Sequence, residues 1–60
     1  MHVEITKEAF NAIKGSSESF MEEPLELAIE TYYLCKGVVL IEVFNHIVSI
    51  TQYYIQDINA

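Results

Sequence analysis

The chain has 60 residues, 52% of them apolar and 20% charged, and a formal net charge of -6. A domain this small buries only about 60% of the surface its unfolded form exposes, so its stability margin is thin without a disulfide, a metal or oligomerisation. The single cysteine excludes an internal disulfide and fits a reducing compartment, while three lysines and no arginine exclude the basic footprint of a nucleic-acid or anionic-lipid binder.

At the N-terminus, Met1 to Ile5 carries a glutamate and no apolar stretch follows, so it reads as a short strand or arm and not as a signal peptide. "TKEAFNAIKG" then marks a helix over residues 7–14 at both ends. Thr6 is placed to accept a backbone N–H of the first turn, and Glu8 sits where the positive end of the helix dipole favours an acid. Ile5 and Phe10 occupy the positions of a hydrophobic staple, and Gly15 follows Lys14 as a left-handed stop. Ala9, Phe10 and Ile13 form an apolar face of about two turns, too short to persist unless it docks on something.

"GSSESFMEEP" reads as a loop over residues 15–24, bracketed by Gly15, two serines and Pro24. Phe20 and Met21 are expected to plug that loop or to belong to a single helical turn. From Leu25 onward the pattern takes the two-residue period of pleated strands, expected at about 25–34, 38–44 and 47–57. A helix starting at Pro24 competes for the first of these, but Ile29, Thr31, Tyr32 and Tyr33 tip propensity toward sheet. The longest uninterrupted apolar run, Val38 to Ile41, is far below the roughly 20 residues of a membrane span, so a soluble, cytoplasmic chain is expected.

Turn chemistry sets the expected register. Asn45 tolerates positive φ, so Asn45-His46 is expected as a two-residue hairpin turn that pairs Phe44 with Ile47 and Ile41 with Ile50. For the earlier turn, a three-residue loop Cys35-Lys36-Gly37 pairs Tyr33 with Val39 and Ile29 with Val43. It is preferred to Lys36-Gly37 alone because the shorter loop puts Glu30 on the apolar face. The expected fold is α+β, one small domain over residues 1–60 in which a short N-terminal helix packs on a three-stranded antiparallel meander. Phe10 and Ile13 are expected to lie on a face built from Leu27, Ile29, Tyr33, Val39, Ile41, Val43, Val48 and Ile50, with Tyr54 a candidate addition. The opposite face carries Tyr32, Leu34, Val38, Leu40, Phe44, Ile47, Tyr53 and Ile55, more apolar than a solvated sheet face should be. That face is the candidate interface, and a second copy is its expected cover, completing the fold by oligomerisation, because closed dimers are the commonest assemblies.

No catalytic, cofactor or metal signature stands out. Zinc sites draw on closely spaced pairs of cysteines and histidines, whereas Cys35, His2 and His46 are scattered singly. A thiol or metal site built on Cys35 at a dimer interface is the alternative from another class. Glu18, Glu22, Glu23, Glu26 and Glu30 lie between Lys14 and Lys36 without an intervening base. Such an acidic patch suits a basic protein surface or the mimicry of nucleic-acid charge, beside the plainer possibility of a solvated face.

"VEITKEAFNAIK" resembles the opening of the A-type iron-sulfur carriers, where a short strand leads through a threonine into a helix, and "CKG" is similar to their Cys-x-Gly segment. Those carriers hold their cluster with three cysteines, and this chain offers Cys35 alone, so the resemblance carries no cluster binding. The functional expectation is a small non-enzymatic protein-protein interaction module, accessory, regulatory or inhibitory, that self-associates through its sheet and shows an acidic surface to a protein partner.

Overall fold

The computed structural model describes residues 2–57, which run β1 (His2–Ile5), α1 (Lys7–Lys14), β2 (Ser19–Pro24), β3 (Ala28–Cys35), β4 (Val38–Asn45) and β5 (Ile50–Asp57). The helix forms where its local signals lie. Thr6 Oγ1 accepts the Ala9 N–H at 3.1 Å, satisfying one of the free donors of the first turn. Gly15 ends the helix at φ 56°, its N–H donating to the Asn11 carbonyl at 3.0 Å, a conformation that a β-carbon would strain.

The sheet has five antiparallel strands in the order β1-β5-β4-β3-β2, not the expected three-stranded meander. The N-terminal arm is β1, an edge strand paired with β5. The expected loop over residues 15–24 contains β2, the opposite edge, so Phe20 and Met21 lie in a strand and not in a plug or helical turn. A bulge between Ser19 and Met21 and the proline at its end make β2 a poor template for further pairing.

Both hairpin registers differ from expectation. Cys35 pairs with Val38, so the first turn is Lys36-Gly37 alone, both residues at positive φ (52° and 81°), as a type I′ turn requires. Lys36 accepts the left-handed conformation that sequence reasoning allowed only to Gly37. In the second hairpin Asn45 pairs with Ile50 and the loop runs from His46 to Ser49. Asn45 acts through its side chain, Oδ1 accepting the N–H groups of Ile47 (2.9 Å) and Val48 (3.3 Å), and it is Ser49 that takes positive φ, at 58°.

A one-residue slip between β3 and β4 keeps Ile29 and Tyr33 on the helix side but turns the β4 and β5 side chains over, so that Leu40, Tyr53 and Ile55 stand there in place of Val39, Ile41, Val43 and Ile50. The helix therefore covers Tyr33, Cys35, Leu40, Tyr53 and Ile55, with Ile5 and Ile13 packed at the margin. Phe10, 1% exposed, is the key to this core: it meets the Tyr33 ring edge-on at 5.6 Å and the Tyr53 ring at 4.8 Å, above Leu40, which is wholly buried. Lys14 lays its ammonium 5.3 Å from the centre of the Tyr33 ring, closing the C-terminal end of the helix over the sheet.

Candidate interaction surface

On the side of the sheet without the helix, cross-strand pairing brings together Glu4, Glu23, Ala28, Glu30, Tyr32, Leu34, Val39, Ile41, Val43, Ile50, Gln52 and Tyr54. Val39, Ile41 and Val43 form its floor along the central strand. Ile41 is only 5% exposed although no helix lies above it, so its own neighbours shield it, the largest being its cross-strand partners Tyr32 and Tyr54. The Tyr32 hydroxyl donates to Glu30 Oε1 at 2.6 Å, and its ring lies 6.3 Å from Phe20. That hydrogen bond, then burial, then the charges of Glu30 and Glu23 push the Tyr32 phenol up to about 12. Tyr54 turns toward β1, edge-on to the ring of His2, the first residue of that strand, at 5.1 Å.

A second apolar region forms at the end of the sheet where the β2–β3 and β4–β5 connections meet. The His46 N–H donates to the Leu27 carbonyl at 3.1 Å, which ties the two loops together. Leu25, Leu27, Phe44, Ile47, Val48 and Ile50 are all exposed there, Ile47 by 68% and Val48 by 58%. Glu26 is the one acid within this tip.

The eight residues expected to share one interface do not share a face. Val38, Leu40, Phe44, Tyr53 and Ile55 lie on the helix side, where Leu40 is core and Tyr53 and Ile55 pack against it. Tyr32 and Leu34 lie on the other side, and Ile47 sits in the tip loop. Conversely, Leu27 and Val48, expected beneath the helix, are exposed at the tip. The acidic residues also divide. Glu18 and Glu26 precede and follow β2, Glu22 is on the helix side opposite Thr31, and Glu23 stands opposite Glu30 on the helix-free face. Glu42 faces Thr31 and accepts the Tyr33 hydroxyl at 3.5 Å. Sequence reasoning missed the Glu23–Glu30 pair because β2 itself was not visible to it.

Cys35 is 5% exposed and packs in the chain's own core with Phe10 and Leu40. His46 lies in the tip loop with its ring 6.2 Å from Phe44. Among the described residues no group of three or more histidines, cysteines and acids is placed to hold a metal ion, and no helix is long and apolar enough to cross a membrane. Comparisons with protein-family models, with curated proteins and with solved structures each find no match to this chain.

Proposed function

We propose that the chain is a small, non-enzymatic protein-protein interaction module of the cytoplasm, one that self-associates through the apolar tip of its sheet and shows an acidic face to a protein partner. The tip is the observation that carries this. Six large apolar side chains stand exposed around one inter-loop hydrogen bond, where a loop of a small monomer would ordinarily be polar. With Glu26 as its single acid, the tip is also the region on which two copies of net charge -6 meet with least repulsion. A free, buried Cys35 suits a reducing compartment.

Sedimentation velocity over a wide concentration range tests self-association. The wild-type chain is expected to sediment as a dimer at high concentration, with little response to salt because the contact is apolar. Ile47→Asp with Val48→Asp, both at exposed positions, should give a folded monomer throughout. A wild-type chain that stays monomeric at every concentration would overturn the self-association.

A further inference from the structure

We infer that the helix-free face is a docking surface for a basic amphipathic helix of another protein. The apolar stripe of that helix would lie over Leu34, Val39 and Val43, with its lysine or arginine side chains on Glu23 and Glu30. This role rests on the chain being an interaction module, and not on its self-association through the tip.

The main support is the cross-strand pair. Glu23 and Glu30 stand directly opposite one another on β2 and β3, an arrangement of like charges that costs the sheet stability. The Tyr32 hydroxyl engages one oxygen of Glu30, and among the described residues no lysine pairs with either carboxylate. A carboxylate pair has room for several more donors, and a guanidinium or ammonium from outside would satisfy both members at once. Glu4 adds a third acid at the far edge of the same face. The lysines are all elsewhere, Lys7 and Lys14 on the helix that covers the opposite side and Lys36 in a turn.

Charge also excludes the other obvious occupant. A two-fold contact between two such faces brings the same three glutamates from each copy and no cation from either. A basic partner is steered to the face and relieves its repulsion. A helix fits better than an added strand, because β2, the edge nearest the acid pair, carries the bulge and Pro24 that discourage pairing. On its other side this sheet already takes a short helix through an apolar stripe of Phe10 and Ile13.

The test is a titration of the isotope-labelled chain with a synthetic amphipathic peptide of leucine and lysine at helical spacing, followed by amide chemical shifts. Saturable binding is expected, with the largest shifts at Leu34, Val39, Val43 and Tyr54. Leu34→Lys with Gln52→Lys places two positive charges on the face at exposed positions, and should weaken binding about tenfold or more. Asn11→Lys with Ser16→Lys makes the same change in net charge on the helix side, also at exposed positions, and should change affinity less than about twofold. Equal weakening by the two pairs would reduce the effect to net charge and overturn the docking surface, as would shifts centred on α1 or the tip, or the absence of saturation. Self-association is read separately, from concentration-dependent shifts at Ile47 and Val48 without peptide, so either conclusion can fail without the other.

Discussion

Tyr32 shows how much of this molecule's chemistry rests on single polar contacts at a sheet surface. Its phenol is raised from 10.0 to about 12, first by the hydrogen bond it donates to Glu30, then by burial and by the charges of Glu30 and Glu23. Tyr33 is raised as well, first by burial and then by Glu42. A phenol whose folded value lies above its unfolded value holds its proton more tightly in the folded state. The stability it contributes is therefore complete below pH 10 and is lost as pH rises through about 12. Tyr32→Phe keeps the ring and removes the titrating proton. The variant is expected to lose stability less steeply across that alkaline window in urea unfolding at stepped pH. An unchanged pH dependence would mean that the Tyr32 hydroxyl does not hold Glu30 in solution.

At the level of elements, what could be read in the sequence was what is fixed by neighbours in the chain. α1 declares itself because Thr6, Glu8, Lys14 and Gly15 act within one turn of their own position. β2 does not, because Ser19–Pro24 mixes acids, a bulge and a proline, the very features that protect an edge strand and hide it from a search for alternating pattern. Register turned on one residue of loop length. By pattern alone Glu30 does not belong on an apolar face, yet that face is open to water and Tyr32 supplies a hydrogen bond. The interface residues divide between two faces for the same reason, since a slip of one between β3 and β4 leaves Tyr33 beneath the helix and brings Leu40 there in place of Val39 and Ile41. The Lys36-Gly37 turn gives a direct check on this register. Lys36→Asn creates the Asn-Gly pair that best accepts two successive positive φ values, and is expected to raise the urea midpoint by the equivalent of a few tenths to about 1 kcal/mol. A three-residue loop, in which position 36 would not be left-handed, predicts no gain.

The whole molecule is a sheet with two unlike sides, and only one of them supplies most of the internal stability. Among the described residues Phe10 and Leu40 are the largest fully buried side chains, and both lie between α1 and the sheet, Phe10 on the helix and Leu40 beneath it. A typical margin of roughly 0.05–0.15 kcal/mol per residue gives a chain of this length about 3–9 kcal/mol in total. Replacing a buried Phe by Ala costs about 3–5 kcal/mol, the whole margin at the low end of that range, so Phe10→Ala is expected to lower the urea midpoint steeply and to populate the unfolded chain at low concentration. Leu34→Ala, at an exposed position on the helix-free face, should change stability by less than about 0.5 kcal/mol. Circular dichroism and urea unfolding of the two variants separate these expectations, and a Phe10→Ala chain as stable as the wild type would mean that the helix is not what holds the sheet. Association adds a second term, because a partner that binds only the folded state stabilises it by mass action. If the apolar tip does pair two copies, folded Phe10→Ala should reappear as its concentration is raised, and adding Ile47→Asp should abolish that recovery while leaving the wild-type monomer folded.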